Sequence, residues 1–139
     1  MIEQISVFVE NKFGRLAAIT NVLRDNDIDI SALSLADTSE FGILRLIVDK
    51  PAEAVTALKA AGIMVKSTGV VAAAMDDKPG GLALLLNILT DENVSIEYMY
   101  AFLGQSGGSA WTVLQTEDNE KAESLFAKAG IKTLQKMEK

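Results

Sequence analysis

The chain has 139 residues, 49% of them apolar, and its 13 basic and 19 acidic side chains leave a net charge of −6. It contains neither histidine nor cysteine, which removes zinc fingers, His/Cys metal centres, disulfide frameworks and nucleophiles built on an imidazole or a thiol. The apolar content suffices for a packed core, and the acidic balance disfavours nucleic acid as a partner, because such binding draws on phosphate neutralisation.

Ile5, Val7 and Val9 alternate with Ser6, Phe8 and Glu10, the period of a strand with one buried face. Asn11-Lys12-Phe13-Gly14 breaks that strand, and Leu16, Ile19, Val22 and Leu23 then recur at helical spacing. The polar run 25–29 ends the helix. Its Asp25-Asn26-Asp27 start imitates a calcium loop, but Ile30 stands where such a loop needs glycine and no glutamate closes it, so it reads as a solvated turn. Strands over 30–36 and 42–48 follow, joined by the polar turn 37–40. Pro51 opens a second helix, whose buried face is Ala54, Val55, Leu58 and Ala61; Gly62 stops it, and 63–68 reads as a last strand.

The order then recurs as a strand over 70–75, a helix over 82–92, strands over 94–102 and 109–116, a helix over 119–129 and a strand over 131–135. In the strand over 94–102, Tyr98 and Tyr100 fall on one face while Ile96 and Met99 serve the helix side, a register that needs a β-bulge. Trp111 and Val113 share a face of the next strand. An aromatic outer face of this kind predicts a covering sheet or subunit. The Gly-rich loop 104–109 joins strand to strand with no helix or phosphate-binding lysine after it, and reads as a hairpin, a candidate lid over a ligand.

The recurrence is a sequence repeat. At an offset of 66, residues 12–31 and 78–97 share eight identities in twenty, including Gly14/Gly80, Leu16/Leu82, Asn21/Asn87 and Ile30/Ile96. Ala61-Gly62-Ile63 matches Ala129-Gly130-Ile131 at an offset of 68, which places two extra residues in the loop 104–109. Two units, 1–68 and 69–139, with the boundary near 67–70, are expected. Each has the order β-α-β-β-α-β, so the fold class is α+β, two tandem ferredoxin-like units with antiparallel sheets. The apolar stretches 70–75 and 82–89 are too short to cross a bilayer, and the first residues lack an export signal, so a cytoplasmic protein without a membrane partner is expected.

The turn between first strand and first helix carries the chemistry in both units. Glycine turns the chain sharply and presents backbone N–H groups at the positive end of the helix dipole, which suits a carboxylate. Upstream stands an acceptor for an ammonium group, Asn11 in one copy and Asp77 in the other. The same residues also serve as helix caps and turn formers. The adjacent carboxylates Asp76 and Asp77 point apart in an extended segment and read as a solvated loop.

The pattern Val9-Glu10-Asn11-Lys12-Phe13-Gly14-Arg15-Leu16 followed by Asp27-Ile28-Asp29-Ile30 resembles the ACT domain, a regulatory amino-acid-binding module, and Asp77-Lys78-Pro79-Gly80-Gly81-Leu82 is the fuller form of its turn. The likeness covers the whole chain as two tandem units. In its Val-Glu-Asn turn the chain is similar to the small regulatory subunit of acetolactate synthase. The resemblance implies ligands at interfaces between paired ACT units, where the turn of one meets the second strand of the other. The residues it implicates are Asn11, Phe13, Gly14, Arg15, Leu16, Asp29 and Ile30 in the first copy. In the second they are Asp77, Pro79, Gly80, Gly81, Leu82, Ser95 and Ile96. The chain departs from the pattern where Phe13 replaces proline, Asp77 replaces asparagine, and Asp29 and Ser95 replace the usual second-strand amide, so Asn11 is the favoured site. The function implied is binding of a free amino acid by a homodimer that signals in trans to an amino-acid biosynthetic enzyme or regulator. The alternative is a constitutive regulatory subunit acting by protein contact. No catalytic residue, metal or cofactor is expected.

Overall fold

The apolar alternation at the start of the chain forms strand β1 (Ile2–Glu10), and the glycine turn releases it into helix α1 (Arg15–Asp25). Strands β2 (Ile30–Asp37) and β3 (Phe41–Val48), helix α2 (Pro51–Ala60) and strand β4 (Val65–Asp76) follow. Helix α3 (Gly81–Thr90), strands β5 (Ile96–Leu103) and β6 (Ser109–Thr116) and helix α4 (Asn119–Lys128) complete the order. The computed structural model describes residues 1–37, 40–103 and 109–135. The chain divides into two compact units, one over Glu3–Thr68 and the other made of Met1–Ile2 and the residues from Gly69 onward.

In the first unit the strands are ordered β2-β3-β1-β4. β1 and β2 flank β3 antiparallel, with Val7 opposite Leu44 and Leu33 opposite Leu46. Ile5, Val7, Leu44 and Leu46 face the helices and are sealed by Ile19, Leu23, Ala54 and Leu58. Pro51 occupies the opening turn of α2, where its missing N–H costs no hydrogen bond. Ala61, expected on the buried face of that helix, lies exposed at its C-terminal cap.

In the second unit β6 lies between the trailing part of β4 and β5, antiparallel to both. Val71, Ala73, Leu85, Leu89, Leu114 and Phe126 form its core. The register shift in β5 falls between Ile96 and Tyr98. It is what lets Ile96 and Met99 both pack on the helix side, while Tyr98, Tyr100 and Phe102 stand opposite Gln115, Val113 and Trp111 on the other face.

The strands expected at 63–68 and 70–75 are one strand, β4. Gly69 takes no left-handed conformation and no proline interrupts the run, so the backbone stays extended across the repeat boundary. The last strand, expected over 131–135, is reduced to an isolated bridge between Ala73 and Thr133. Lys132 O, accepting from Ala74 N at 2.8 Å, and Leu134 N, donating to Ala72 O at 3.0 Å, join it to β4. Helix α3 stops at Thr90 rather than 92, because Asn93 turns left-handed (φ 59°) and Val94 N returns to Leu89 O at 3.0 Å. Asp27 (φ 55°) and Ile28 do the same after α1. Residues 38–39 of the first hairpin turn and 104–108 of the Gly-rich loop, including its expected role as a lid, lie outside the described residues.

Candidate functional site

The strand-to-helix turns of the two units are built alike. Lys12 N donates to Glu10 O at 2.7 Å and Lys78 N to Asp76 O at 2.9 Å; Arg15 N then reaches Lys12 O at 3.3 Å and Gly81 N reaches Lys78 O at 3.0 Å. Gly14 (φ 80°) and Gly80 (φ 89°) both adopt the left-handed conformation that glycine enters without strain, and each is the N-cap of its helix. Among the described residues no side chain caps either helix. Helix α4 differs, since Asp118 accepts from Lys121 N at 3.1 Å. Arg15 N and Gly81 N are taken by Lys12 O and Lys78 O, but among the described residues no side chain accepts from the N–H groups that follow them at the positive end of each helix dipole, a setting that suits an incoming carboxylate.

Electrostatics separates the two turns. In the first, Glu10 Oε2 lies 3.0 Å from Lys12 Nζ and 3.8 Å from Arg15 Nη2. The Lys12 hydrogen bond, then the charge of Lys12 and that of Arg15, hold the Glu10 carboxyl below the usual glutamate range. These pairs are exposed, so they fix charge at the turn more than they stabilise the fold. In the second turn Lys78 Nζ is 3.7 Å from Asp76 Oδ2, and the position of Arg15 is taken by Gly81. A Cβ on Gly81 would sit 2.0 Å from Asp76 O, so this turn has no room for a side chain there.

Asn11, Phe13 and Gly14 are exposed, as are Asp77, Pro79 and Gly80. Leu16 and Leu82, at equivalent places in their helices, are 40% and 38% exposed. Asp29 and Ser95 share a backbone role. Asp29 N donates to Asp49 Oδ1 at 2.9 Å while Asp49 N donates to Asp29 O at 3.1 Å. Ser95 N and Glu117 Oε1, and Glu117 N and Ser95 O, repeat the pair at 3.1 Å each. Ile30 and Ile96 pack against the cores of their units. The sequence reading did not single out Asp49 and Glu117; the signal was an acidic residue just after the third strand of each copy, at the offset of 68.

The larger cavity lies in the first unit beside its turn, with a volume of about 490 Å³. Phe8, Val9 and Glu10 of β1 and Arg15, Ala18 and Ile19 of α1 form two walls, and Phe41 with the segment Gly62, Ile63 and Met64 closes it. Of the residues implicated by sequence, only Arg15 lines it. A shallower hollow of about 420 Å³ in the second unit includes Ser95 and Ile96 beside Thr90, Asn93 and Val94. Phe8, Phe41 and Met64 escaped sequence reading because each looks like an ordinary strand or loop residue until the end of the sheet brings them together. Among the described residues no cluster of acidic side chains is arranged to hold a metal ion, and no helix is long and apolar enough to cross a membrane.

Two ferredoxin-like units, each with a left-handed glycine turn between its first strand and first helix, make up a paired α+β module. The profile of the ACT domain pair matches residues 1–138, and the chain belongs to that family. Protein BT0572 from Bacteroides thetaiotaomicron is 38% identical, with a TM-score of 0.89 over 96% of this chain and 91% of that one. The regulatory subunit of aspartate kinase from Thermus thermophilus, in its ligand-free form, shares the fold at 16% identity, with a TM-score of 0.66 and 91% of each chain covered. The corresponding subunit from Thermus flavus, also 16% identical, gives a TM-score of 0.62 with 92% of each chain covered. A search of curated proteins finds no match to this sequence.

Proposed function

We propose that this chain is an amino-acid sensor that binds a free amino acid at the Asn11–Gly14 turn and signals in trans to an enzyme or regulator of amino-acid metabolism. The carrying observation is the turn itself: in an ACT domain pair, α1 opens on a left-handed glycine with no side-chain cap, beside an ionised Glu10 and the cations Lys12 and Arg15. The carboxylate of the ligand takes the N–H groups of α1, and Asn11 with Glu10 accepts from its ammonium group. A homodimer supplies the neighbouring ACT unit, whose second-strand residues Asp29 and Ile30 complete the site. The second turn, with Asp77 for Asn11 and Gly81 for Arg15, is the weaker binder. Ligand affinity that differs between two packings of the paired units provides the signal.

The test is a thermal-shift screen of the purified chain against the twenty amino acids, followed by calorimetry on each hit. A ligand at a hundredfold excess over its Kd adds about 2.7 kcal/mol of stability and raises the melting temperature. No shift with any of the twenty refutes the sensor. Capture of a biosynthetic enzyme under the same conditions then assigns the chain to constitutive regulation by protein contact.

A further inference from the structure

We infer that the cavity beside the first turn takes the side chain of a large apolar amino acid, branched or aromatic, whose carboxylate is held by the Arg15 guanidinium together with the N–H groups of α1. This rests on the reading of the chain as an amino-acid binder and names the ligand class.

Its volume of about 490 Å³ falls within the range of small-molecule sites, roughly 300–1,000 Å³. Phe8, Phe41 and Met64 line it while remaining 42%, 51% and 69% exposed. Apolar surface left open in this way favours an apolar occupant, by about 25 cal/mol for each Å² covered. The mouth is charged. Glu10 and Arg15, the two lining residues that bracket the turn, sit 3.8 Å apart. A guanidinium offers a carboxylate two parallel N–H donors, and a carboxylate accepts from an ammonium group, so together they match the two ends of an amino acid.

The repeat supplies an internal control. Phe8 N donates to Met64 O at 3.1 Å, and at the equivalent place Ala74 N donates to Lys132 O at 2.8 Å, so the backbone frame is common to both units. The side chains are not. Where the first unit has Phe8, Arg15, Ala18 and Phe41, the second has Ala74, Gly81, Leu84 and Ser109. The frame therefore does not require aromatic walls, a cation or a small residue on the helix; the first unit carries all three together. Away from Glu10 and Arg15 the side-chain walls are apolar and give a serine hydroxyl or a second carboxylate little to bond to, so the cavity favours an apolar side chain over serine- or aspartate-like ones.

Titration calorimetry of the full chain with leucine, phenylalanine, serine, aspartate and 4-methyl-2-oxopentanoate tests the inference. Leucine or phenylalanine binds on the order of tenfold or more tighter than serine or aspartate, as expected for several added methylenes in an apolar pocket. The oxo acid, which lacks the ammonium group, binds more weakly than leucine. Ala18→Leu fills the cavity with the residue that the second unit already holds at Leu84, so the fold tolerates it; it weakens leucine binding about tenfold or more while the ligand-free melting temperature stays put. Arg15→Gln weakens every ligand. If amino acids bind with no preference for large apolar side chains, if Ala18→Leu is without effect, or if the oxo acid matches leucine, the inference fails and the sensor stands. If no amino acid binds at all, the sensor itself fails.

Discussion

Alanine at Gly81 should destabilise the second unit far more than alanine at its neighbour Gly80, although Gly80 is the one with the unusual backbone. A Cβ on Gly81 lies 2.0 Å from Asp76 O and 3.0 Å from Asp76 C, both backbone atoms that cannot rotate away. Relief requires the β4–α3 turn to open by about 1 Å, which strains the hydrogen bonds from Lys78 N to Asp76 O and from Gly81 N to Lys78 O. Two such bonds weigh about 1 kcal/mol each and overpacking about 1–3 kcal/mol, against which alanine returns about 0.4–1 kcal/mol of unfolded-state entropy. The net loss is about 2–4.5 kcal/mol. At Gly80 the space is open, and the left-handed penalty of about 1–2 kcal/mol less the same entropy leaves about 1 kcal/mol. Urea unfolding followed by the fluorescence of Trp111, the one tryptophan of the chain and part of β6, reads the second unit directly. A Gly81→Ala loss no larger than that of Gly80→Ala refutes the steric reasoning.

Asn11→Ala should weaken amino-acid binding more than Asp77→Ala; equal losses, or none from Asn11→Ala, overturn the choice of the first turn. Asp118→Ala removes the acceptor for Lys121 N and should cost about 1 kcal/mol in denaturant unfolding, whereas a cost near zero would show that water replaces the cap. Glu10 should titrate below the usual glutamate range by NMR, and Lys12→Met should bring it most of the way back, because the Lys12 hydrogen bond is the largest cause of its shift. The sign follows from a folded pKa below the unfolded one: the contribution is present above the unfolded pKa and is lost as pH falls through the folded pKa. A Glu10 that titrates in the usual glutamate range in the wild-type chain rules out the ion pair in solution.

Much of the fold was legible because local chemistry and tertiary packing agree in this chain. Pro51 at a helix start, Gly62 at φ 79° after its end, and the misfit between Ile96 and Met99 that demands a bulge are all written in short segments. The repeat carried the argument further, since whatever held near Gly14 was expected near Gly80. What escaped depends on contacts distant in sequence. Gly69 reads as a break, yet it lies inside β4 without a left-handed backbone. Residues 131–135 have the apolar content of a strand and meet β4 at a single bridge. At the site, the turn residues were visible as a motif. The cavity was not, because Phe8, Ala18, Phe41 and Met64 come from four separate segments and none is unusual in its own. Asp29 and Ser95 stood out by position, but their backbones are engaged by Asp49 and Glu117, partners that a motif centred on the second strand does not contain.

Strand β4 runs without interruption from Val65 to Asp76, closing one copy of the repeat and opening the next. The duplication thus left no linker at which the copies come apart. A crossover that exchanged one half for that of a relative would have to fall inside a hydrogen-bonded strand, and the hybrid would inherit part of one strand from each parent. A cut at the boundary would sever a strand rather than a loop, so either half expressed alone would carry a truncated strand end that its own sequence does not complete.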